Sequence, residues 1–333
     1  MNENQETPIQ LPPPNKKSSP ITRRQFLIRG AATLAAIAAG TSLIRDPVID
    51  VLKQNKKKEI EAKYGIAIRT EKEMIDDPAI DIRKDPFWEE PEHPILTAIS
   101  EESLDLLNKS LSFLPKHFYE PNNGKKLTIT FTNDTSSSHR TLPSEDPILA
   151  TQFSTSNRLH TEEITLGKTF DTQKHKDAFL ALTHELTHRI TPGTDGKVTP
   201  SVWFEEVDTI FGMPFKDIES RIRPQINTVM DPIKQKTQGA LLNLPESEEF
   251  NLLNPQEQEL AIFFTRFYYG INNTNFGAGE LIGIMGEQYI QGKDYFKKMY
   301  DKFLPPETTE KLYEFCKDKI YRNIEYIKLP DIR

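Results

Sequence analysis

At 333 residues and 38.3 kDa the chain has room for one large domain or two small ones. Its 42 Lys and Arg against 49 Asp and Glu leave a net charge of −7, which argues against a general nucleic-acid binder, since no basic excess is there to displace phosphate counterions. Cys316 is the single cysteine, which excludes an intrachain disulfide and a zinc site built from cysteine pairs.

Residues 1–20 are polar and proline-rich, with almost nothing to bury, and read as a disordered leader. Residues 21–45 carry Arg23 and Arg24, then Phe26 and Leu27, then a run of small apolar residues. This segment resembles a twin-arginine (Tat) export signal. The resemblance implies a protein exported already folded to a periplasmic or other extracytoplasmic location. The uncharged run from Gly30 to Ile44 is 15 residues long, short of the ~20 that span a bilayer. Ala36-Ile37-Ala38 has the small-x-small form of a cleavage site, yet lies early in that run. Cleavage with secretion and retention as an N-terminal membrane anchor therefore both fit.

Residues 46–94 form a helix and a linker. The helix stops at Gly65, a short strand follows at Ile66-Ala67-Ile68, and the linker is acidic, contains proline and carries Trp88. Lys53, Lys56, Lys57 and Lys58 read as a solvated helix face. Residues 95–333 are the main domain, with its sheet part over about 95–170. Ile95, Leu96, Ile99, Leu104, Leu106, Leu107 and Leu111 recur at helical spacing. LTITFTN, ILATQFS and EEITLG are the strand candidates after them. A helix follows over about 172–191, and a helical part fills 199–333, with long helices predicted over 256–270 and 278–303. Small mixed sheet, central helix, helical half: the fold class is α+β.

The central helix carries A-L-T-H-E-L-T-H-R-I over residues 181–190. His184 and His188, four apart, share one face, so two imidazoles can grip one divalent cation. Glu185 stands beside them, placed to take a proton from water. This is the H-E-x-x-H pattern of zinc hydrolases. Asp171 or Thr172 is suited to cap the helix, Phe179, Leu182 and Leu186 form an apolar stripe, and Thr191-Pro192-Gly193 stops it.

A catalytic zinc takes three protein ligands and leaves a fourth position to water. No histidine follows His188, so a carboxylate must complete the set. Glu205 and Glu206 lie 17 and 18 positions beyond His188, in SVWFEEVDTIFG. Over about residues 125–212 the chain resembles the gluzincin metallopeptidases (peptidase MA-like). In these a second helix supplies glutamate, often within W-x-x-E-G. Aligning Trp203 selects Glu206, with Val207 where the family has glycine. A second register, from Glu205 to Gly212, selects Glu205. The tryptophan-anchored pattern favours Glu206.

The resemblance implies a zincin-like fold and one catalytic Zn2+ held by His184, His188 and Glu206, with Glu185 as general base. It makes EEITLG the edge strand above the cleft, pairing with the backbone of a peptide or protein substrate. It also calls for a tyrosine to stabilise the oxyanion. Tyr268, Tyr269, Tyr289 and Tyr295 are the candidates, and Tyr289 is preferred. Asp208 is placed to hydrogen-bond a ligand histidine or to be a solvated helix residue. The expected function is that of an exported zinc metallopeptidase. One alternative is an exported metal- or peptide-binding domain that has lost catalysis, suggested by Val207 and by Arg189 after the second histidine. Another is a surface-attached scaffold. The sequence carries no signature of cleavage specificity or oligomeric state.

Overall fold

The computed structural model describes residues 42–78, 94–121, 124, 126–133, 151–154, 162–167, 175–191, 202–237, 249–272 and 278–332. Outside them lie the expected disordered leader, the segment that resembles a twin-arginine signal up to residue 41, the linker around Trp88, the polar loop after LTITFTN and the expected helix cap at Asp171 or Thr172. The chain divides into two units, Met1–Leu52 and Lys53–Arg333. Of the first, the described residues 42–52 are helical. Among the described residues no helix is long and apolar enough to cross a membrane.

Helix α1 (Ser42–Tyr64) ends at the predicted glycine. Gly65 takes φ 69° and its N–H closes on the Glu61 carbonyl at 2.9 Å, a left-handed cap that glycine adopts without steric cost. Among the described residues four strands follow: β1 (Ala67–Thr70), β2 (Leu127–Phe131), β3 (Thr151–Ser154) and β4 (Glu162–Leu166). Their order in the sheet is β1-β2-β4-β3. β1, β2 and β4 run parallel, and β3 is antiparallel to β4. Ile68, Ile129 and Ile164 share one register row and are buried. One correction follows. EEITLG, expected at the sheet edge, is interior, paired with β2 on one side and β3 on the other. Among the described residues the edge beside it is β3, from ILATQFS.

Between β1 and β2 the chain forms α2 (Glu71–Ile75) and α3 (Glu101–Phe113). The central helix, α4 (His175–Ile190), is buried all along Ala178–Arg189. A helix apolar or small on most faces can be enclosed in this way, provided its few polar groups find partners. Thr183 and Thr187 turn their hydroxyls back onto the carbonyls of Phe179 and Thr183, each at 2.8 Å. Arg189 donates to the carbonyls of Phe118 at 2.8 Å and Glu120 at 2.7 Å. The charge after the second histidine thus ties down the turn after α3.

The helical half comprises α5 (Val202–Phe211), α6 (Phe215–Lys236), α7 (Pro255–Asn272), α8 (Gly279–Tyr289), α9 (Lys293–Tyr300) and α10 (Pro306–Phe315). A π-helical turn, Cys316–Ile320, follows. The single helix predicted over 278–303 is two, broken at Gly292. Its φ of 102° lies outside the helical region, and a side chain there would run into the Ile327 carbonyl. Phe263, Phe267, Phe296, Tyr300 and Phe303 interlock between α7 and α9, with Phe296 stacked on Tyr300 at 4.2 Å. At roughly 1.5–3 kcal/mol per buried large apolar side chain, this cluster is a main anchor of the helical half. It fixes α7, against which α8 packs, and the other side of α8 rests on α4.

Candidate metal centre

The i, i+4 spacing works as expected on α4. The Nε2 atoms of His184 and His188 lie 2.9 Å apart, in residues 7% and 9% exposed. The third group comes from α8. An oxygen of Glu280 lies 3.4 Å from the Nε2 of His184 and 3.5 Å from that of His188. A circle through these three atoms has a radius of about 1.9 Å, close to the ~2.0–2.2 Å bonds that imidazole and carboxylate form with zinc. His184, His188 and Glu280 could therefore hold one metal ion.

The approach of α8 depends on what its sequence leaves out. Gly283 faces the two imidazoles, and a Cβ there would lie 2.8 Å from Cε1 of His184 and 3.0 Å from Cε1 of His188. One turn on, a Cβ at Gly286 would collide with the Thr187 hydroxyl. Two glycines three apart present bare backbone to α4, and Glu280, three residues before Gly283, is thereby carried up to the histidines.

Charge points the same way. Glu185, Glu280 and Glu287 are buried or nearly so; Arg266 pairs with Glu287, whereas Arg189, also buried, donates to the Phe118 and Glu120 carbonyls. With both imidazoles neutral, two negative charges are left over in a low-dielectric setting, a balance that a dication restores. Burial opposes charge on both partners of the central contact, yet the imidazoles of His188 and His184 hold the Glu280 carboxyl well below the usual carboxylate range. For His184 burial is likewise overcome by Glu280, Glu185 and Glu287, which raise it to about 9.

The structure does not bring Glu206 to this group. Its carboxylate pairs with Lys319 Nζ at 3.1 Å, a third exposed, in a shallow recess with Ile210 and Phe315. Trp203, three residues earlier on the same face of α5, packs edge-on against Phe315 at 5.8 Å and turns that face toward α10. Glu205 is exposed. From α5 it is Phe204 that approaches the start of α8: its ring tip would lie 3.7 Å from a Cβ at Gly279. Asp208 does not orient a histidine. It accepts from the Phe215 N–H at the start of α6.

Tyr289 is likewise not at the site. It lies nine residues beyond Glu280 on α8, about 13 Å along the axis. Its ring stacks on Tyr321 at 4.6 Å, and its hydroxyl donates to the Ile324 carbonyl at 2.9 Å. The Tyr268 hydroxyl faces Glu219. Tyr295 lies beside Arg266 and Glu287, and burial pushes its phenol above the ordinary range. The side chain of Tyr269 lies outside the described residues.

Sequence reasoning missed Glu280, Glu287, Gly283 and Arg266. A signal was present. In GELIGIMGEQY the only charges are two glutamates seven apart, two helical turns on one face, with Gly283 between them.

No protein-family model, no curated protein and no solved structure matches the chain. Fold and site therefore stand on their geometry: an α+β chain whose buried central helix presents two histidines to a glutamate from a neighbouring helix.

Proposed function

We propose that the chain is a zinc-dependent peptidase with a zincin-like arrangement, in which His184, His188 and Glu280 hold the ion and Glu185 is the general base. The observation that carries this reading is the convergence of the H-E-x-x-H histidines with Glu280 on one point. When bound, the ion supplies Lewis-acid polarisation of a carbonyl and lowers the pKa of water. Glu185, buried beside His184, takes a proton from the attacking water and passes it to the leaving amine. A peptide substrate is supported by β3, which among the described residues is the antiparallel strand at the sheet edge and packs near α4, a position where an extended chain can add to the sheet. The twin-arginine segment supports export by the Tat route, with or without retention at the membrane.

The alternative, a metal-binding domain without catalysis, draws on one observation: the preferred oxyanion donor, Tyr289, is committed to the core. A single set of measurements separates the two. Purified full chain is assayed for bound metal and for cleavage of an unstructured peptide, alongside Glu185→Gln and His188→Ala. The peptidase reading expects zinc in the wild type and in Glu185→Gln, a 10²–10⁴-fold loss of turnover in Glu185→Gln, and loss of both properties in His188→Ala. A Glu185→Gln variant with full turnover would remove Glu185 from its role. Zinc without any chelator-sensitive cleavage would favour the binding domain.

A further inference from the structure

We infer that Glu287, held in place by Arg266, is the positioning residue of His184, fixing the ring so that Nε2 is presented to the ion. This rests on the metal-binding reading above. The imidazole of His184 has two nitrogens with different surroundings. Nε2 points to His188 and Glu280, whereas Nδ1 lies 3.6 Å from an oxygen of Glu287. A carboxylate on Nδ1 keeps the proton there and leaves Nε2 as the free lone pair, which is the tautomer ligation requires.

Glu287 is itself rigidly supplied. Its side chain is 3% exposed, and its other oxygen accepts from Arg266 Nη1 at 2.5 Å and from Gln288 Nε2 at 2.8 Å. Gln291 donates to Gln288 at 3.0 Å, extending the network to the end of α8. Arg266 projects from α7, the helix anchored by the aromatic cluster. The chain of contacts therefore runs from that core through Arg266 and Glu287 to the ring of His184. Glu280 and Glu287 are seven residues apart, so the same face of α8 delivers both the ligand and the group that orients its neighbour.

The test measures zinc affinity of the full chain by competition with a chromophoric chelator, with the His184 Nδ1–H resonance read in zinc-loaded protein carrying 15N-histidine. Glu287→Gln keeps the shape and removes the charge. Because this removes the carboxylate that Arg266 pairs with, the balanced double variant Arg266→Gln/Glu287→Gln is measured as well. We expect zinc to bind 10- to 100-fold more weakly in both, with the downfield Nδ1–H signal of His184 lost and that of His188 unmoved. A purely structural ion pair would lower the melting temperature and leave both readouts alone. Zinc affinity within twofold of wild type in a folded variant, with the His184 resonance unchanged, overturns this inference and leaves the metal site standing. Wild-type protein that takes up no zinc overturns the metal reading, and this inference with it.

Discussion

The backbone of α8 at Gly283 lies against the imidazole of His184 so closely that a Cβ there would come 2.8 Å from Cε1 and 3.0 Å from Nε2. Only hydrogen fits between helix and ring. Replacing Gly283 by alanine sets two effects against each other. Alanine favours the helix by about 1 kcal/mol. Overpacking a tight contact costs about 1–3 kcal/mol. The net change in folding stability is therefore small, but the ring that must move is a ligand. Gly283→Ala is expected to stay folded, with a melting temperature within a few degrees of wild type, and to bind zinc at least tenfold more weakly. Unchanged affinity in a titration would show that α8 does not press on the histidines.

Glu280 and Glu206 make opposite predictions. Glu280 supplies an oxygen within 3.5 Å of both histidine nitrogens, whereas Glu206 is paired with Lys319 near solvent. Glu280→Gln should lower zinc affinity by two orders of magnitude or more, since a neutral amide replaces an anionic ligand. Glu206→Gln should leave it within twofold and shift stability by no more than about 1 kcal/mol, as for other partly exposed ion pairs. The reverse pattern of affinities would restore the second-helix glutamate of the gluzincin pattern.

These two glutamates show where the sequence was legible. The histidine pair was readable because its geometry is local: four residues on one helix place two imidazoles together whatever lies around them. The strands were readable from alternation in LTITFTN and the β-rich runs after it. Glu280 is 92 positions beyond His188, and its arrival depends on α8 packing on α4, which no local pattern encodes. Glu206 looked suitable because Trp203 supplied the expected anchor. Yet Trp203 packs on Phe315, a contact from more than a hundred residues away, and that contact sets which way the face points. The edge-strand assignment failed for a similar reason. β3 precedes β4 in the chain but lies outside it in the sheet, and alternation does not reveal strand order.

Tyr289→Phe tests the reassignment of that tyrosine. Its hydroxyl donates to the Ile324 carbonyl at 2.9 Å within an aromatic stack, so removal deletes one buried hydrogen bond. The expected cost is about 0.5–1.5 kcal/mol of stability, seen as a fall of a few degrees in melting temperature. Turnover per folded molecule should be unchanged. A hundredfold loss of turnover at equal zinc content would instead return Tyr289 to the oxyanion.

The pH dependence of the centre follows from competition between proton and metal for His184. In chelated protein His184 is raised from its ordinary 6.5 to about 9. A raised folded-state value means that the attraction between protonated His184 and Glu280 stabilises the chain fully below about pH 6.5 and is lost as pH climbs through 9. Glu280 is held below its ordinary 4.5, so its contribution is present above that value and fades as pH falls beneath it. In chelated protein the stabilisation from the His184–Glu280 contact should accordingly be greatest between about pH 4.5 and 6.5. Zinc works in the opposite sense, because ligation requires the neutral imidazole and releases its proton. Apparent zinc affinity is therefore expected to rise about tenfold per pH unit from about 6.5 to 9. Melting curves with zinc and with chelator should draw apart steadily over that window. If the gap at pH 8.5 were no wider than at pH 6.5, His184 would not be surrendering a proton to the ion, and the ligand set would have to be redrawn without it.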